Sequence, residues 1–167
     1  MVCDERGTSC AGSQDGPFNL GLKYLESGEY EQAIEQLTMA IDQAPQDAMA
    51  YYHRGLAHGE LGNYRRAIED FTQAIALQPQ NAEAYYNRGA AYGNLGKHRR
   101  AIEDFDWAIK LSPQDVGFYV MRGFAHSALG QYDQAVSDIE QAIEVCESQA
   151  LREQLDELLQ RMIRLRR

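Results

Sequence analysis

The sequence predicts an all-α chain, an α-solenoid of four helix-turn-helix units closed by one C-terminal helix. Two observations carry this. Sets of small residues recur at a fixed spacing of 34, and apolar residues recur three or four apart, the period of a helix and not of a strand. The 167 residues are 44% hydrophobic, enough for a continuous core, and only four prolines interrupt them.

Each recurring column has a physical reading. Gly21, Gly55, Gly89 and Gly123 share the period with Ala33, Ala67, Ala101 and Ala135 and with Ala40, Ala74, Ala108 and Ala142. These three columns remove side-chain bulk, so that paired helices can approach until ridges settle into grooves. Gly28, Gly62, Gly96 and Gly130 form a fourth column. In units two to four this glycine follows Leu61, Leu95 and Leu129, at a helix end where a left-handed residue satisfies the last carbonyls. Tyr30, Tyr64, His98 and Tyr132 then open the second helix, and Leu37, Phe71, Phe105 and Ile139 give it one large apolar contact. Pro45, Pro79 and Pro113 end units one to three, because proline lacks an N–H and biases the preceding residue away from helix.

In this order and spacing the columns resemble the signature of the tetratricopeptide repeat (TPR) family. The resemblance covers residues 14–149 as units 14–47, 48–81, 82–115 and 116–149. It leaves 1–13 as a flexible N-terminal tail and 150–167 as a capping helix with a basic end. It implies a right-handed superhelix of stacked helix pairs. Gln14-Asp15-Gly16-Pro17 is expected to shorten the first helix of unit one. Glu147 stands where proline is expected, so the second helix of unit four is expected to run on or bend gently into the next. There Leu151, Leu155, Leu158, Met162 and Leu165 share one face, with Arg152, Glu153, Asp156, Glu157, Gln160 and Arg161 elsewhere, as in a helix that covers the apolar end of a stack.

Several chemistries are excluded by composition and spacing. A net charge of -9 opposes a phosphate backbone, so no nucleic-acid partner is expected. No run reaches the length of about eighteen apolar residues that a membrane span needs. Cys3, Cys10 and Cys146 form no CxxC pair and leave an odd count, which argues for reduced thiols and a cytoplasmic setting. The histidines have no metal-ligand spacing: His58 and His126 replace the core-facing Tyr24 and Tyr92, and only His53 falls at a groove position. Gly96-Lys97 is no phosphate loop, because Ala91 stands at the leading glycine and His98 at the magnesium-binding hydroxyl. No nucleophile-base-orienter set can be assembled. Neither catalytic residue, metal, cofactor nor small-molecule substrate is expected.

Two constellations remain. Arg54, Arg88 and Arg122 occupy the seventh position of units two to four, and Asp70, Asp104 and Asp138 the twenty-third, whereas unit one has Leu20 and Gln36. The joint replacement predicts ion pairs within each unit; the alternative is a guanidinium ladder for acidic ligands. The second constellation follows from the resemblance, which assigns positions two, five, six, nine, twelve and thirteen of each first helix to a concave binding surface. Position five reads Phe18, Tyr52, Tyr86 and Val120; position six Asn19, His53, Asn87 and Met121; position nine Leu22, Leu56, Ala90 and Phe124. Asparagine both donates and accepts, which suits it to the main chain of a peptide; the competing reading is that the aromatics only fill space between units. The family's clamp for C-terminal carboxylates needs cations and asparagines where units one to three offer Phe18, Leu22, His53, Glu83 and Asn87. Units two to four offer Tyr52, Leu56, Asn87, Gly117 and Met121, of which only Asn87 fits.

The expected function is therefore non-catalytic. The chain binds an extended or helical segment of a partner protein as an adaptor or assembly scaffold, itself a monomer or weak homo-oligomer. The alternative is a structural, self-associating protein that uses its C-terminal helix. Contact of Arg161, Arg164, Arg166 and Arg167 with anionic lipid is a third possibility, disfavoured by the overall charge.

Overall fold

Residues 16–166 are described in the computed structural model; the 1–13 tail, Cys3, Cys10 and Arg167 lie outside them. Among the described residues there are nine helices and no strand. They are α1 (Pro17–Glu26), α2 (Tyr30–Gln43), α3 (Ala48–Glu60), α4 (Tyr64–Leu77), α5 (Ala82–Asn94), α6 (His98–Leu111), α7 (Val116–Ala128), α8 (Tyr132–Val145) and α9 (Gln149–Leu165). Odd and even helices pair as hairpins, each even helix also packs on the next odd one, and α9 packs on α8. The fold is an all-α solenoid.

Local chemistry sets the ends of these helices. Gly28, Gly62, Gly96 and Gly130 have φ of 78°, 72°, 70° and 73°, the left-handed turn that lets Asn63 N–H reach back to the carbonyl of His58 at 2.8 Å. Ala44, Gln78 and Ser112, each preceding a proline, leave the helical region with φ of -137°, -134° and -140° and ψ of 78°, 82° and 79°, which ends α2, α4 and α6. Asp47, Asn81 and Asp115 then cap α3, α5 and α7 by accepting from N–H groups of the first turn. α1 has no side-chain cap; it starts at Pro17 and runs 10 residues, against 13 for α3.

Close packing within each hairpin depends on the first glycine column. A Cβ on Gly89 would lie 2.9 Å from Phe105 Cε1 and 3.2 Å from the carbonyl oxygen of Ala101; one on Gly55 would lie 2.8 Å from Phe71. Phe105 is 1% exposed and Leu37 0%, so the ring or branched side chain of each second helix fills the space that the glycine vacates.

The C-terminal end differs from expectation in three respects. α8 does not run on: Cys146 and Ser148 are extended, and the Ser148 hydroxyl caps α9 by accepting from Leu151 N–H, which makes a clean break without proline. The buried stripe of α9 is Leu155 and Met162, flanked by Leu158, Leu159 and Ile163, while Leu151 and Leu165 are 38% and 49% exposed. Leu151 lies in the first turn and Leu165 in the last, outside that stripe. Arg152 does not point away either, since it donates to the carbonyl of Cys146, a group left without a helical partner by the break.

Deleting 149–167 should uncover Val136, Ile139 and Cys146 and remove the burial of Leu155 and Met162, each worth about 1.5–3 kcal/mol. Thermal unfolding should then show a lower Tm and light scattering more aggregation; a shortened chain as stable and soluble as the full one would mean that α9 is no cap.

Candidate functional site

The arginine column is committed internally. Arg54 donates through Nε and Nη2 to both oxygens of Asp70 at 2.9 and 2.7 Å, and Arg88 does the same to Asp104 at 2.9 and 2.7 Å. Arg122 Nη2 donates to Asp138 Oδ1 at 2.6 Å. The third arm reaches back one unit: Nη1 of Arg54, Arg88 and Arg122 donates to Thr38 Oγ1, Thr72 Oγ1 and Asp106 Oδ1 at 3.1, 3.2 and 2.6 Å. Tyr51, Tyr85 and Tyr119 lie under the guanidinium carbons at 5.7, 5.6 and 5.8 Å. Each arginine therefore ties its own hairpin together and to the one before it. With all arms engaged, the guanidinium ladder for acidic ligands is not available.

Burial and pairing act in opposite directions on these groups. Burial works against the charge of Arg88, yet its bonds to Asp104 outweigh this and hold the guanidinium above its ordinary value. Burial also pushes the Asp104 carboxyl up, against the pull of Arg88. Two well-aligned hydrogen bonds under 3 Å favour the charged form on both sides, and we regard the pair as ionised at neutral pH.

The position-five residues lie between units. Tyr86 wedges two units, 5.9 Å from Phe105 of its own and 5.1 Å from Phe118 of the next, whereas the Tyr52 ring sits 5.9 Å from Phe71 of its own unit and reaches the next through its hydroxyl, to which Asn87 donates. Phe18 meets His53 edge-on at 5.9 Å. Val120 packs toward the clusters built with Leu155 and Met162 of α9, which takes the place of a further unit and draws Val120 out of the groove lining.

Most residues at positions six, nine, twelve and thirteen line a row of pockets along the first helices. Between α1 and α3 a pocket of about 390 Å³ is lined by Leu22, Leu25, Glu26, Tyr30, His53, Leu56 and Glu60. The next, about 330 Å³, has Leu56, Glu60, Asn87, Ala90 and Asn94 in its wall. The third, about 180 Å³, is bounded by Ala90, Asn94, Phe105, Met121 and Phe124. Asn19 is exposed and lines none of these three.

Electrostatics in the groove follow from partial burial. Burial lowers the His53 pKa below the ordinary 6.5, so its ring is neutral at pH 7. Burial and then Glu83 raise the Tyr52 hydroxyl, to which Asn87 Nδ2 donates at 3.2 Å; the same amide nitrogen donates to the carbonyl of Glu83 at 2.9 Å. Asn87 is thus held rigidly, its Oδ1 turned to accepting. Among the described residues, no group of His, Cys, Asp and Glu could hold a metal, and no helix is long and apolar enough to cross a membrane.

At positions twelve and thirteen, two features emerge only with the pockets in view. Gly59 and Gly93, at position twelve, lie inside α3 and α5 and line the second and third pockets, yet an added Cβ would meet no atom within 4 Å. Glycine there weakens a helix by about 0.5–1 kcal/mol relative to alanine and keeps a pocket wall bare. Position thirteen reads Glu26, Glu60, Asn94 and Ala128, a column whose gradient is visible once the pockets are known.

A row of stacked helical hairpins with a pocket at each junction defines a helical-repeat protein. The chain belongs to the tetratricopeptide-repeat family: family profiles described as "TPR repeat" match residues 21–62 and 60–96, and profiles described as "Tetratricopeptide repeat" match 82–115 and 116–149. Comparison with curated proteins gives no match. Among solved structures it is similar to the crystal structure of MamA, with 32% identity, a TM-score of 0.76, and coverage of 77% of this chain and 75% of that one. It is also similar to the first TPR of Spaghetti (RPAP3) bound to the HSP90 peptide SRMEEVD, at 28% identity and TM-score 0.67, covering 68% of this chain and 90% of that one. The second TPR domain of human RPAP3, in complex with the HSP70 peptide SGPTIEEVD, is 29% identical with a TM-score of 0.64, covering 66% and 92%. These likenesses support a protein-interaction module with a protein partner.

Loss of Arg88 or Asp104 should destabilise the fold by on the order of a few kcal/mol, because each leaves the other as a buried, unpaired charge. In a cycle of Arg88→Met and Asp104→Asn followed by chemical denaturation, a coupling of at least about 1 kcal/mol is expected; additive effects would show that the pair contributes nothing as a pair.

Proposed function

We propose that this chain is a non-catalytic adaptor or assembly scaffold that holds an extended or helical segment of a partner protein along the concave face of α1, α3, α5 and α7. The observation that carries this reading is the row of three pockets, one at each junction between units, the first and third mainly apolar and the middle one mixed, with Glu60, Asn87 and Asn94 in its wall. Phe124, 43% exposed at the end of the row, is free to bury apolar area against a ligand. Asn87 Oδ1 would accept a main-chain N–H, whatever side chains the ligand carries.

The similar structures named with HSP90 and HSP70 peptides support peptide binding as such. Those peptides are acidic at their C-terminal ends. The carboxylate clamp is poorly matched here, with Leu56, Gly117 and Met121 where it needs polar or cationic groups. The proposed setting is cytoplasmic, in keeping with the odd cysteine count and the buried free thiol of Cys146. Self-association through α9 is a second reading, favoured only by exposed Leu151 and Leu165. The basic end gives lipid contact less support still, since Arg166 is paired with Asp133 at 2.6 Å.

Once a partner has been captured, Phe124→Ala and Asn87→Ala should each weaken it by roughly 1–3 kcal/mol in calorimetric titration. Both variants should keep the parent Tm within a few degrees, as neither side chain packs as a wedge between units; Tyr86 does, and is a poor probe. Unchanged affinity in both variants would move the site off the groove.

A further inference from the structure

Resting on the groove reading above, we propose that the groove has a chemical polarity. It takes a partner segment that carries a lysine or arginine at the α1–α3 end and a large apolar side chain at the α5–α7 end.

The gradient runs through three columns at once. Position thirteen passes from Glu26 and Glu60 to Asn94 and Ala128, position six ends in Met121, and position nine ends in Phe124. Glu26 and Glu60 stand 34 residues apart in sequence, yet both line the one pocket between α1 and α3. Its walls are Leu22, Leu25 and Leu56, and neither lysine nor arginine is among the described residues that line it. His53 supplies no positive charge at neutral pH, because burial keeps its ring neutral. Leucine walls with carboxylates at the mouth match one kind of side chain best, an aliphatic stem with a cationic head. The exposed position of both glutamates sets the scale: such pairs contribute modestly each and are screened by salt.

At the other end the walls are Ala90, Phe105, Met121 and Phe124, and Gly93 leaves the entrance open. A cation there would lose hydration without gaining a counter-charge, whereas an apolar side chain gains burial. A peptide such as SGPTIEEVD, with two glutamates, a terminal aspartate and neither lysine nor arginine, would meet like charge at the first pocket. Charge thus fixes the direction of the bound segment, and apolar burial supplies its affinity.

The test is selection of a random peptide library displayed on phage against the full chain, then titration of the recovered peptides after fluorescent labelling. Recovered sequences should share a lysine or arginine at a fixed separation from a large apolar residue. Glu26→Gln combined with Glu60→Gln should weaken them about three- to tenfold. That double variant should leave unchanged the same peptides with norleucine in place of the cation, while Phe124→Ala weakens both forms. If Phe124→Ala weakens binding but the double variant and norleucine do nothing, the polarity is wrong and the groove reading stands. No effect of Phe124→Ala, or no recovered binder, overturns both. Equal or tighter binding of labelled SGPTIEEVD, which carries no cation, overturns the polarity. Self-association in sedimentation that disappears in the double variant would overturn the separate partner and seat the basic end of a second copy in the groove.

Discussion

The approach of paired helices at the first glycine column is the constraint on which the rest of this structure depends. Phe105 can be 1% exposed only because Gly89 offers no Cβ, and Phe71 and Gly55 stand in the same relation. That contact fixes the distance within a hairpin. Repeated every 34 residues it fixes the orientation of each unit on the next, because every second helix presents the same surface to the following first helix. The arginine ties build on this geometry. A guanidinium that bonds Asp104 in its own unit and Thr72 in the one before needs all three groups held within about 3 Å, which only a fixed stacking provides.

The same stacking separates what the fold requires from what the groove can vary. Glycine, alanine and the large apolar residue of the second helix face inward and recur nearly unchanged. Positions nine and thirteen face the concave side and differ from unit to unit: leucine to phenylalanine, glutamate to alanine. Gly59 and Gly93 belong to the second group, since nothing in the fold needs the missing Cβ, and each weakens its helix while opening a pocket.

What was legible in the sequence was whatever a single column demands of a single residue type. A left-handed turn demands glycine, a helix end demands proline, and a close approach demands a small side chain, so these columns show through. The exchange of Arg and Asp for Leu20 and Gln36 in unit one pointed to pairing within a unit, and the bonds at 2.7 Å lie there. The backward arm was not legible, because threonine and aspartate answer the same donor in different units and leave no uniform column. Tyr52, Tyr86 and Val120 carry the residue types of a binding surface, but their distance from the pockets depends on which helix comes next. For Val120 that helix is α9. The break before α9 was hidden too, since Ser148 and the hydrogen bond from Arg152 replace the missing proline by means that no spacing rule records.

The location of the bound segment can be read directly by placing a photoreactive phenylalanine analogue, one site at a time, at Leu56 and Ala90 in the groove, at Gln73 on the exposed side of α4, and at Glu157 on the exposed side of α9. With a captured partner present, irradiation should cross-link it from positions 56 and 90 and leave it unlinked from positions 73 and 157. Cross-links confined to 73 or 157 would contradict a groove-bound segment and assign the interaction to the outer surface or to α9.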